Sequence, residues 1–179
     1  MPNDTSSAAA ADAAEPADGA AVSTGAGRER RVSEQLISDW QEETRRLGHA
    51  LALMTLEASA MTGPKWTHRF IIAVNSVAEA SSLLFYGPSF AALLGLPEKP
   101  DPSLPISAQL PARYVPVFTR GCVASSLSRL PVRMLGAVER DDGRPELYRA
   151  AFVRPSLDAS RRQDLAVGAF NCSVIERET

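Results

Sequence analysis

Cysteine and histidine are scarce in this chain, at two residues each. Cys122 and Cys172 lie far apart, which is no secreted disulfide framework and suits a reducing cytosol. With His49 and His68 they form no metal-ligand spacing. Basic excess is missing too. The net charge is −2 and the pI about 5.7, without the basic stripe of a nucleic-acid binder. No apolar run approaches the ~20 residues that cross a bilayer. The first residues are small and acidic, unlike a signal peptide, and Arg28, Arg30 and Arg31 lead into Val32-Ser33-Glu34 rather than an apolar export core.

What is present is enough for one domain. The chain has 179 residues, of which 45% are apolar, so it can bury a core. Residues 1–27 are Ala-rich, with no Lys or Arg before Arg28 and few large apolar groups. Such a segment buries too little surface to offset its ordering entropy, so residues 1–32 are expected to be a disordered tail. Residues 33–62 carry a stripe of Ile37, Trp40, Thr44, Leu47, Leu51, Met54, Ala58 and Met61, in steps of three and four. That spacing predicts a long amphipathic helix, with Ser33 as N-cap and Gly63-Pro64 as its stop. The stripe needs a partner, either the chain's own sheet or a second copy of the helix. Ile37, Trp40, Leu47, Leu51, Met54 and Met61 are the candidate interface residues.

The remainder predicts strands at 69–75 and 81–86, then a short helix opened by Pro88 and ended by Gly95. A proline-dense connector fills 97–111 without regular structure, and a helix runs over 112–130. In that helix Pro116 marks either a kink or the true first turn, and the small residues around Gly121 and Cys122 permit close packing on a sheet. Three strands follow at 131–139, 146–154 and 164–175, the first two joined by an Asp141-Asp142-Gly143 turn. In 146–154, Tyr148, Ala150 and Phe152 share one face and Leu147, Ala151 and Val153 the other. In the last strand Leu165, Val167 and Ala169 alternate with Ala166, Phe170, Cys172 and Val174. Both faces are apolar, so each needs a cover.

The stretches HRFIIAV, LLFYGPSFAALLGLP, LPARYVPVF with the following GC, DDGRPELYRAAF and GAFNCSVIE resemble PAS domains, in particular the single-domain PAS proteins of alphaproteobacteria. The resemblance covers residues 66–177. It implies an α+β fold: a five-stranded antiparallel sheet in the order 2-1-5-4-3, with helices on one face and an amphipathic helix ahead of it. It also implies signal sensing or partner binding rather than catalysis, a homodimer, and a partner such as a sensor kinase. The family's photoactive flavin motif, Asn-Cys-Arg on a helix, is not matched by Asn171-Cys172-Ser173 in the last strand. No His lies in 106–130 to hold a haem. The cofactor is therefore open, with haem and photoactive flavin disfavoured.

Phe90, Tyr114, Phe118, Met134, Tyr148, Phe152 and Phe170 are the bulky groups expected to line the interior, either as plain core or as a ligand pocket. Tyr114 and Tyr148 stand out because a buried hydroxyl wants a partner. His68, between Thr67 and Arg69 just before a strand, reads as a surface or capping histidine rather than a catalytic base, and Gly25-Ala26-Gly27 lacks the context of a phosphate loop. The alternative is a small α+β enzyme of NTF2-like or hot-dog type acting on an apolar substrate. That reading needs an acid or histidine aimed inward, whereas the inward positions identified in the strands are apolar or Tyr.

Overall fold

The computed structural model describes residues 24–47, 61, 63–155 and 164–175. Five strands form one antiparallel sheet: β1 (Arg69–Val74), β2 (Ser82–Tyr86), β3 (Val132–Glu139), β4 (Pro145–Val153) and β5 (Asp164–Val174). Their order is β2-β1-β5-β4-β3. That is the order implied by the PAS resemblance. β1 and β5 are covered on both faces, which explains their nearly continuous burial.

The helices divide between the two faces. Helix α1 (Thr24–Leu47) lies on one, which we call outer. Helices α2 (Pro88–Leu94), α3 (Ile106–Gln109) and α4 (Val115–Leu127) lie on the other. Pro88 occupies the first turn of α2, and Gly95 ends it with a left-handed φ of 64° that a residue with a Cβ adopts only under strain. Pro116 sits in the first turn of α4, so it starts this helix rather than kinking it. The helix is shorter than 112–130. Ala112–Tyr114 form a 3-10 turn, and Ser128 is already extended. The proline-dense connector holds more order than expected, because Pro105 leads into the one-turn helix α3 and Ile106 is fully buried. Gly121 of α4 faces the Phe152 ring so closely that a methyl group would collide with it, which brings the helix down onto the sheet.

Helix α1 starts earlier than the sequence pattern implied. It takes in residues 24–32, which had been assigned to the tail, and Ser33 is buried inside it rather than capping it. The physical reason lies in composition. Arg28, Glu29, Arg30 and Arg31 are good helix formers, and each interior glycine opposes them by only about 1 kcal/mol. Residues 1–23 lie outside the described residues, as do 48–60 with Leu51, Met54 and Ala58, and the side chain of Leu47.

The described part of the stripe packs within the chain. Leu36 and Ile37, with Val32 and Trp40 beside them, cover Ile71, Ala151, Val153, Val167 and Ala169. Met61 joins the same cluster. Polar contacts pin both ends of this contact. Arg133 of β3 donates to Glu34 at 3.1 Å, and Arg69 of β1 donates to Asp39 at 2.5 Å. Lys65 adds a bond to Asp39 at 3.3 Å, and the Arg69 guanidinium lies 5.5 Å from the Trp66 ring centre. α1 therefore crosses the strands from the β3 side to the β1 side.

Burial raises the Asp39 carboxyl, but hydrogen bonds from Arg69 and Gln35 and the Arg69 charge outweigh it and hold the pKa below its ordinary 3.8. A carboxyl lowered in the folded state stabilises fully above its unfolded pKa and loses that contribution as pH falls through the folded value. Stability is thus expected to drop below about pH 4 by a component that Asp39→Asn removes, measured by urea unfolding along a pH series. At neutral pH, Ile37→Ala is expected to lower the unfolding free energy by about 2–5 kcal/mol in the same assay.

Candidate functional site

The inner face is built around aromatic rings. β4 turns Glu146, Tyr148, Ala150 and Phe152 inward by its period of two, and β5 turns Phe170 and Cys172 inward beside them. Phe90 comes from α2, Tyr114 from the 3-10 turn, and Phe118 from α4. Phe118 lies 5.3 Å from Phe170 and 6.0 Å from Phe152, centre to centre, and Tyr114 meets Phe170 edge-on at 5.1 Å. Five of the seven expected interior residues (Phe90, Tyr114, Phe118, Phe152 and Phe170) are thus fully buried and pack into one cluster. Met134 and Tyr148 are half-buried at its edge. Phe70 is the residue the sequence reading passed over. It touches Phe90 at 5.1 Å, Phe118 at 5.0 Å and Phe152 at 5.4 Å, and so occupies the centre.

At the Glu146 end this interior becomes polar. Glu146 is only 5% exposed, although the inward positions had been expected to be apolar or Tyr. Its carboxylate lies 3.4 Å from Arg113 Nε and 3.6 Å from Arg140 Nη1. Arg113 also places its guanidinium 5.0 Å from the centre of the Tyr114 ring. Tyr114 Oη and Glu146 Oε2 are both buried without a hydrogen bond of good geometry, as are the Nε atoms of the two arginines. Burial pushes the Tyr114 hydroxyl well above its ordinary value, and the nearby Glu146 and Cys172 add to this. The hydroxyl therefore stays protonated and can donate.

The residues assembled are a carboxylate acceptor, a phenol donor and two guanidinium groups around the end of the apolar aromatic cluster. They can hydrogen-bond a small molecule with a polar head and an apolar body. The signal that could have found Glu146 was present in the sequence, since it is two residues before Tyr148 on the same strand face.

The remaining candidates serve structure. Burial raises the Cys122 thiol to about 12, so it carries little thiolate at neutral pH. Cys172 is buried on β5, and the carbonyl of His68 accepts a hydrogen bond from the Phe170 amide at 3.2 Å. His49 lies outside the described residues. Among the described residues, no three His, Cys, Asp or Glu side chains gather into a group that could hold a metal. Nor is any helix among them long and apolar enough to cross a membrane.

A second feature is an open groove of about 640 Å³ between α4 and the 3-10 turn Ala78–Ala80. Val115, Thr119, Val123 and Leu127 form one wall, with Glu79 and Arg120 also lining it.

No protein-family model and no curated protein matches the sequence. Solved structures do. One is the PAS domain of a protein from Colwellia psychrerythraea, 10% identical, with a TM-score of 0.43 over 66% of this chain and 95% of that one. Another is a domain of an HTR-like protein from Haloarcula marismortui, 18% identical, with a TM-score of 0.40 over 58% of this chain and 96% of that one. A fungal LOV domain photoreceptor is 14% identical, with a TM-score of 0.38 over 68% of this chain and 91% of that one. The fold is PAS-like. The strand order and the placing of the helices carry that statement.

Tyr114→Phe is expected to leave stability unchanged or raise it slightly in urea unfolding, because the hydroxyl it removes is buried without a good hydrogen bond. Glu146→Gln is expected to lower stability by roughly 2 kcal/mol, because it strips the counter-charge from two arginines.

Proposed function

We propose that this chain is a non-enzymatic signalling module of the cytoplasm. It works as a homodimer, holds a small ligand at the Tyr114–Glu146 end of its interior, and passes the bound state to a signalling partner such as a sensor kinase. One observation carries the ligand part. A phenol and a carboxylate, buried against each other and beside two guanidinium groups but without a hydrogen bond of good geometry, close an otherwise aromatic interior. Buried polar groups are nearly always satisfied, so a pair left in this state is supported as a place for a polar partner. The ligand that fits has a hydroxyl or amide head, able both to donate to Glu146 and to accept from Tyr114, on an apolar body.

A second reading is favoured by Glu146 itself. An inward acid is what a small α+β enzyme of NTF2-like or hot-dog type would use as its base. It ranks below the first because Glu146 lies between two guanidinium groups, at 3.4 and 3.6 Å, which already engage its carboxylate.

A screen of small polar-headed metabolites by thermal shift, with native mass spectrometry on the hits, tests both readings. The sensing reading expects saturable binding that weakens about tenfold in Tyr114→Phe and Glu146→Gln, with the ligand recovered unchanged. Recovery of a converted ligand, with conversion lost in Glu146→Gln, would establish the enzyme instead. Binding indifferent to both substitutions would remove the site.

A further inference from the structure

Among the described residues of the stripe, Ile37, Trp40 and Met61 are used on the chain's own sheet. The exposed apolar side chains lie elsewhere. Leu127 is 85% exposed and Val123 48%, both on α4. Val77, just before the turn that lines the groove, and Leu130, just after α4, are also exposed.

The α4 residues have a regular spacing. Val115, Thr119, Val123 and Leu127 recur every four residues along one line of the helix; Thr119 is buried and Val115 packs against the inner core, so Val123 and Leu127 are the part of this line that projects. Ridges of this spacing pack into the matching groove of another helix at about −50°, the commonest class of helix contact. Beside the ridge lies a groove that can receive one.

The charges along that groove decide the occupant. Arg120 and Glu79 both line it. Among the described residues neither has an ion-pair partner within 4.0 Å. One unpaired cation and one unpaired anion on the same patch make it complementary to itself. Self-complementarity is what a twofold contact between identical surfaces demands. A partner of uniform charge would leave one of the two opposed. The exposed leucines of the outer sheet face, Leu135 and Leu147, sit on flat strand surface instead.

We propose that the groove beside α4 seats a second copy of this chain. In this isologous dimer the exposed Val123 and Leu127 of each protomer enter the groove of the other, and Arg120 of each pairs with Glu79 of its partner. This gives a surface to the dimer assumed in the functional reading and rests on that part of it alone.

Sedimentation equilibrium of the full chain tests it, against a monomer mass of 19.2 kDa. The wild type is expected at twice that mass. Leu127→Asp is expected to weaken the dimer about tenfold or more, with an unchanged thermal melt at low concentration because the side chain is exposed. Arg120→Glu and Glu79→Arg are each expected to weaken it, and the double variant to restore it. A dimer indifferent to these four variants but broken by Leu135→Asp would overturn this surface and leave the dimeric reading standing. A monomeric wild type would overturn both, while leaving the ligand experiment untouched.

Discussion

A sheet that is apolar on both sides needs two covers, and every other element of this protein is placed to supply them. Ala151, Val153, Val167 and Ala169 on the outer side are as buried as Ala150, Phe152, Ala166 and Phe170 on the inner side. Leaving either set in water would forgo the largest favourable contribution to folding. The inner cover is made of three short helices whose rings interlock with those of the strands. The outer cover is one long helix with smaller contact groups. The small outer residues, alanine and valine, let α1 approach closely. The large inner rings fill the space under the short helices, and Gly121 lets α4 come close over Phe152.

The two covers are held by different physics. The inner side depends on dispersion and shape, with ring centres 5–6 Å apart in tilted and edge-on pairs. The outer side adds a charge at each end of its contact, Glu34 with Arg133 and Asp39 with Arg69. The first pair is half-exposed and contributes little beyond direction. The second is mostly buried and cannot be broken without stranding a guanidinium against Trp66. Orientation of α1 across the strands follows from these two points.

Much of this was legible in the residues, and the failures have physical causes. Period-two alternation sorted β4 and β5 into their two faces, and the punctuation at Pro88, Gly95 and Asp141-Asp142-Gly143 bounded the elements between. The strand order came from family resemblance, since pairing is a long-range property that no local pattern encodes. Leu36 was missed because a three-four stripe selects a narrow seam, whereas a helix lying on a sheet buries a wider face that includes its neighbour Ile37. Arg69 looked like a polar strand boundary. It is buried because Asp39, thirty residues earlier, comes over it, and nothing near Arg69 announces that. Glu146 opened the strand 146–154 but was left out of its inward face, although the same alternation that placed Tyr148 inward places it inward too.

Arg69 and Phe70 are consecutive residues on β1 that point to opposite sides. One grips the long helix outside, and the other sits at the hub of the rings inside. A single peptide unit therefore joins the two layers, the shortest covalent route that a strand permits. A shift of the rings that carries the Phe70 backbone with it also carries the root of the Arg69 side chain. The exterior helix and the interior ring cluster thus share one mechanical pivot, within a strand that is hydrogen-bonded on both edges.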